Sequence, residues 1–157
     1  MKLRILSWNV RGMHNPDKMM VIKSMVRKHK LYLVCFQETK MKEMSARIVR
    51  SLGIGRNVGW VSLYVRNTAG EVLVLWDKRV LEGLEVEVGF FSISCRFRNC
   101  EEGFVWVFSR LYGPLKGRER RELWEELAAV KGLWSDPWCI AGDFNVVRFL
   151  VETSNGR

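Results

Sequence analysis

Histidine is scarce in this chain of 157 residues: His14 and His29 are the only two, both within the first thirty positions. Nothing downstream is left for a Ser/His/Asp or Cys/His triad, which argues against triad hydrolysis. The four cysteines, Cys35, Cys95, Cys100 and Cys139, include no CxxC pair, and the one close spacing has no histidine beside it. They read as reduced core thiols rather than zinc ligands or a redox couple. No apolar run reaches the roughly 18 residues of a membrane span, and the N-terminal MKLRILSWNV turns polar too soon for a secretory signal. A nuclear or cytoplasmic protein is expected, neither secreted nor held in a membrane. There is no internal repeat, low-complexity tract or linker, and 48% hydrophobic residues exclude disorder and collagen. One globular domain, or part of one, fits the length.

What is plentiful is positive charge, and it is unevenly placed. The chain carries 26 Lys and Arg against 17 Asp and Glu, and residues 1–60 alone hold 13 basic and 3 acidic groups. The excess therefore lies in the first two fifths, either as a basic face that attracts phosphates or as the solvated sides of two helices.

The opening of the chain reads as strand, helix, strand. Leu3 to Trp8 is an apolar run ending at Asn9, followed by a turn at Gly12. Asn15 suits a helix N-cap and Pro16 the first helical position, after which Met19, Ile22, Val26 and His29 recur at helical spacing. Leu31 to Phe36 predicts a strand covered on both faces. Met41, Met44, Ile48 and Leu52 predict a second amphipathic helix closed by Gly53. Five strands follow as an antiparallel meander: Val58–Val65, Glu71–Trp76, Val80–Val88, Phe90–Phe97 and Phe104–Leu111. Glu119–Val130 then places Leu123, Trp124, Leu127 and Ala128 on one helical face, and Trp138–Ala141 is a last short strand. Trp8, Trp76 and Trp138 read as core residues rather than base-stacking platforms.

Four strands end in residues suited to phosphate chemistry: Trp8-Asn9, Phe36-Gln37-Glu38, Leu111-Tyr112 and Gly142-Asp143. Ligand sites in α/β sheets lie beyond strand ends. Glu38, Asp143, the amides of Asn9 and Asn145 and the phenol of Tyr112 would together suit a hard divalent cation and a water aimed at phosphorus. Singly, each has a plainer role as a turn former, a first-turn carboxylate or an Asx-turn.

Ser7-Trp8-Asn9-Val10-Arg11-Gly12, Gln37-Glu38-Thr39-Lys40, Leu111-Tyr112-Gly113-Pro114 and Gly142-Asp143-Phe144-Asn145 resemble, in order, successive motifs of the endonuclease/exonuclease/phosphatase family. Leu75-Trp76-Asp77 and the Trp138–Arg148 stretch resemble more closely the endonuclease domain of plant LINE-type (non-LTR) retrotransposons. The resemblance implies an α/β, four-layer sandwich: two mostly antiparallel β-sheets flanked by helices. It also implies a Mg²⁺-dependent phosphodiesterase, Mn²⁺ being a possible substitute, that acts on DNA, with no small-molecule cofactor and no membrane, as a monomer. By the same resemblance Glu38 is the principal metal ligand with Asn9 beside it. Asp143 orients or deprotonates the attacking water, and Asn145 and Tyr112 contact the phosphate. Arg11 and Lys40 are read as nucleic-acid contacts, with a simple exposed turn residue as the alternative for Arg11.

The family pattern continues past Gly-Asp-x-Asn to a terminal Ser-Asp-His, and no histidine follows Asn145 here. Residues 1–157 are thus expected to form a single partial domain, incomplete at its C-terminal side, with an open sheet edge and impaired hydrolysis. The alternative reading is a catalytically inactive retroelement remnant that at most binds nucleic acid. A substrate of the phosphomonoester or phosphoinositide kind is disfavoured by the retroelement-like motifs. A smaller departure is Glu71, a bulky charge where relatives usually carry a second glycine.

Overall fold

The computed structural model describes residues 2–41, 43–64, 71–112, 116–142 and 145–150. Strand β1 (Lys2–Asn9) runs parallel to β2 (Leu33–Gln37), with α1 (Pro16–His29) as the crossover between them. Asn15 caps α1 as its sequence predicts, accepting from Asp17 N at 2.8 Å, with Pro16 at the first position. Helix α2 (Ala46–Ser51) leads to β3 (Val58–Tyr64) and β4 (Glu71–Asp77), and β4 pairs antiparallel with both β2 and β3. Strands β5 (Leu81–Val88), β6 (Ser92–Asn99) and β7 (Val105–Leu111) form a second, antiparallel set. A second crossover helix, α3 (Arg118–Leu133), returns the chain to β8 (Trp138–Ala141), parallel to β7. Strand β9 (Asn145–Leu150) then lies antiparallel to β1. The two sheets have orders β3-β4-β2-β1-β9 and β5-β6-β7-β8.

Alternation along the strands sorts the core into layers. Ile5, Leu33, Cys35, Val72 and Val74 of the first sheet meet Ile93, Cys95, Phe97, Trp106 and Phe108 of the second. The opposite face of the first sheet, with Leu6, Val34, Phe36, Leu73 and Leu75, packs on Ile22 and Val26 of α1 and Val49 of α2. Phe91, Val107 and Trp138 meet Leu123, Leu127 and Val130 of α3. The layers are helix, sheet, sheet, helix, as the four-layer expectation has it. Trp76 closes one end of the inner layer edge-on to Phe97, at 5.3 Å between centroids. Its indole lies so close to Gly59 and Gly83 that a Cβ there would sit 2.4 and 2.6 Å from ring atoms.

Four expectations need correction. The five-strand meander is split, because the turn after Asp77 sends β5 into the second sheet instead of back along β4. The second helix starts at Ala46, where Ser45 Oγ accepts from Ile48 N at 3.3 Å; Met41 and Met44 pack on the same core from the preceding loop. On α3 the buried stripe is Leu123, Leu127 and Val130, whereas Trp124 is 65% exposed and Ala128 also faces water. Cys100 is exposed, so only Cys35, Cys95 and the half-buried Cys139 are core thiols. Val65 and residues 68–70 lie outside the described residues; Glu71 opens β4, accepting from Ser62 Oγ at 3.0 Å. Trp8, Trp76 and Trp138 pack against the core clusters, as expected. Among the described residues no helix is long and apolar enough to cross a membrane.

Candidate active site

The C-terminal ends of the two parallel pairs, β1–β2 and β7–β8, meet at one pole of the sandwich. Register alone sets Asn9 opposite Gln37. Beyond the strands the two exit loops stay joined backbone to backbone: Val10 N donates to Gln37 O, Gly12 N to Glu38 O and Met13 N to Thr39 O, at 3.0, 2.7 and 2.8 Å. This ladder is possible because Arg11, Gly12, Glu38 and Lys40 all take positive φ, 51°, 107°, 57° and 55°. Three of the four are not glycine, and each left-handed L-residue costs on the order of 1–2 kcal/mol. Strain of that kind collects where surrounding structure holds a functional group in place.

The held group is the pair Asn9 and Glu38. Asn9 Nδ2 donates to Glu38 Oε2 at 2.6 Å, and Asn9 Oδ1 accepts from Arg11 N at 3.2 Å. The other Glu38 oxygen accepts no hydrogen bond among the described residues, and the side chain is half-buried. Arg11 and Lys40 are exposed on the same two loops. Lys18 reaches back from α1 to Val10 O at 2.7 Å and lies over the Trp8 ring at 5.2 Å from its centroid.

Tyr112 follows β7 at this pole, its N–H bonded to Phe91 O at 2.9 Å and its ring within the inter-sheet core. Its hydroxyl is covered and has no hydrogen-bond partner among the described residues. Burial raises its pKa far above the ordinary tyrosine range, so the phenol is a proton donor at every working pH. Asn145 begins β9, with its backbone opposite Ser7. Asp143 lies outside the described residues. The structure thus brings Asn9 and Glu38 into contact and sets Tyr112 at the same pole.

Arg110, to which sequence reasoning gave no role, binds this pole together through Ser7, Gln37 and Gly142. Arg110, 1% exposed, donates from Nη1 to Ser7 Oγ at 2.8 Å and to Gly142 O, and from Nη2 to Gln37 Oε1 at 2.5 Å. Ser7 Oγ in turn donates to Gly142 O at 2.8 Å. The available signal was a charge at the inward parity of an apolar strand, Trp106, Phe108, Arg110.

A family model described as the endonuclease/exonuclease/phosphatase family matches residues 6–157. The chain belongs to this family. Solved structures with the same fold include a mannosyl-6-phosphatase of Bacteroides thetaiotaomicron, 15% identical with TM-score 0.63, covering 90% of this chain and 64% of that one. The human nocturnin catalytic domain with bound sulfate is 13% identical, TM-score 0.61, with coverage of 90% and 64%. Zebrafish (D. rerio) TDP2 complexed with a single-strand DNA product is 20% identical, TM-score 0.59, with coverage of 90% and 60%. The chain therefore spans slightly under two thirds of each of these proteins. No curated protein sequence matches it.

The family generally uses divalent metals, and the donor set at the pole can be tested against one. Among the described residues no three His, Cys, Asp or Glu side chains cluster. Glu38 nevertheless has one carboxylate oxygen without a hydrogen-bond partner among the described residues, beside an amide. Magnesium is usually held by one or two carboxylates, with waters and substrate phosphate completing its shell. Glu38 and Asn9 fit that minimal role.

Proposed function

We propose that the chain is a Mg²⁺-dependent phosphodiesterase that nicks DNA, with Asn9, Glu38, Tyr112, Asp143 and Asn145 as its catalytic set. The observation that carries the reading is the Asn9–Glu38 pair, joined at 2.6 Å across two loops whose backbone is held left-handed. DNA as substrate, and descent from a LINE-type element, rest on the retroelement-like motifs Ser7–Gly12 and Trp138–Arg148. Zebrafish TDP2, which shares the fold, has been solved with single-strand DNA.

Glu38 would hold the ion, with Asn9 beside it, and the bound ion would polarise a phosphoryl oxygen and offset the charge that develops there. Asn9 Nδ2 keeps the Glu38 carboxylate in one orientation, so little reorganisation is needed when substrate arrives. Tyr112, always protonated, donates a hydrogen bond to a phosphate oxygen once substrate reaches its hydroxyl. Asp143 takes the proton of the attacking water, and Asn145 holds the phosphate. Arg11 and Lys40 contact the flanking backbone, which sets register rather than sequence preference.

The test is nicking of supercoiled plasmid by the purified chain with Mg²⁺ or EDTA, beside Glu38→Ala. Nicking that requires both Mg²⁺ and Glu38, and falls at least about 100-fold in the variant, supports the reading. A folded parent chain without activity supports the inactive remnant instead, and activity that survives Glu38→Ala overturns the site.

A further inference from the structure

Arg110 is an expensive residue to keep where it stands. A guanidinium does not lose its proton in proteins, and removing it from water costs several kcal/mol unless its surroundings compensate. The neighbours that share its face of β7, Trp106 and Phe108, are apolar and hold the two sheets together by packing alone. Among the described residues no carboxylate pairs with Arg110, and none accepts a hydrogen bond from its Nε. Its partners are neutral oxygens, and each belongs to a different piece of the pole. Ser7 is in β1, two residues before Asn9. Gln37 ends β2 and precedes Glu38. Gly142 follows β8 and precedes Asp143.

A planar fork with donors at fixed angles suits that task better than any apolar side chain. From the second sheet it fixes two elements of the first sheet and the exit of β8. Gln37 is the hinge of the arrangement, since its carbonyl accepts from Val10 N while its side chain accepts from Arg110. We infer that Arg110 is a positioning residue that ties the strand ends carrying Asn9, Glu38 and Asp143 into one unit across the two sheets. The inference rests on the site proposed above, and its test has one arm that does not need that site to bind metal.

The metal-free arm is amide hydrogen exchange by NMR on the parent chain, Arg110→Met, Arg110→Lys, Gln37→Leu and the Arg110→Met/Gln37→Leu double variant. In Arg110→Met the amides of Val10, Gly12 and Met13 are expected to exchange at least about 10-fold faster, while those of Val74 and Phe97 in the sheet centres keep the parental rate. Arg110→Lys should recover part of the protection, because one ammonium reaches fewer of the three acceptors. The second arm is Mn²⁺ binding by electron paramagnetic resonance. Here Arg110→Met should weaken affinity roughly 10-fold or more, Gln37→Leu should do so in part, and the double variant should be no worse than Arg110→Met.

Parental exchange at the three loop amides in folded Arg110→Met overturns the inference, as does uniform acceleration across both sheets. Multiplying effects in the double variant overturn it too. A parent chain that fails to bind Mn²⁺ overturns the proposed metal site, and the exchange arm then decides Arg110 by itself. Should Arg110→Met not fold, Gln37→Leu carries the test: local loosening at Val10 and Gly12 supports the clamp, and unchanged exchange there overturns it.

Discussion

Cys35 lies fully buried between the sheets, and burial pushes its thiol up to about 12 from 9.0. Cys95 opposite it is raised further, with burial the larger cause and Cys35 itself the smaller. In the unfolded chain both thiols ionise near 9, so above that pH the unfolded state holds fewer protons than the native one. Stability is therefore unaffected below about pH 9 and falls as pH climbs from 9 towards 12. Urea midpoints measured across that window should decline, and Cys35→Ala should show a shallower decline from a lower starting point, because it leaves a cavity. An identical slope in the variant would mean that other groups set the alkaline limit. The same burial makes Cys35 a poor nucleophile, so Cys35→Ala should cost stability and leave nicking intact.

Among the elements, α3 is fastened to the second sheet by one carboxylate as well as by its apolar stripe. Glu126 accepts from Phe90 N at 2.8 Å, from Phe91 N at 3.1 Å and from Ser92 Oγ at 2.5 Å, which satisfies the turn between β5 and β6. Glu126→Ala should lower unfolding free energy by about 1–3 kcal/mol in urea titrations, since it removes the acceptor of the covered Phe91 amide and Ser92 hydroxyl. A change below about 0.5 kcal/mol would mean that water replaces the carboxylate without penalty. The beginning of α1 was legible because Asn15 and Pro16 act locally, and β2 was legible because both its faces are covered. The division of the strands between two sheets was not legible, since long-range pairing decides it and Asp77–Val80 looks like any hairpin turn. The start of α2 was missed because Met41 and Met44 keep helical spacing while sitting in a loop. Asn9 and Glu38 could be read at strand ends. The role of Arg110 could not, because a charged residue in an apolar strand has meaning only once Ser7, Gln37 and Gly142 are known to surround its tip.

Across the whole molecule the surplus of basic residues in the first sixty lines the outer helical layer, on α1 and α2, more than the pole. Exposed Arg11 and Lys40 are the cations set on the loops of the proposed site. If they contact DNA phosphates, the slope of log affinity against log salt should shrink by roughly 0.9 for each one changed to alanine. Fluorescence anisotropy with a short duplex from low to moderate salt reads this directly; unchanged slopes in both variants would move the DNA path onto the helical layer. The pairing of β1 with β9 has a further consequence, one of timing. Ser7 and Gly142 are joined across 135 residues of sequence, and β9 completes the same sheet edge. As the ribosome releases the chain, β1 waits with one side unpaired until β9, at residues 145–150, has emerged. Contacts so distant in sequence make for slow folding and leave a nascent strand open to wrong partners. A chaperone that holds the emerging chain until β9 appears should therefore raise the yield of this fold.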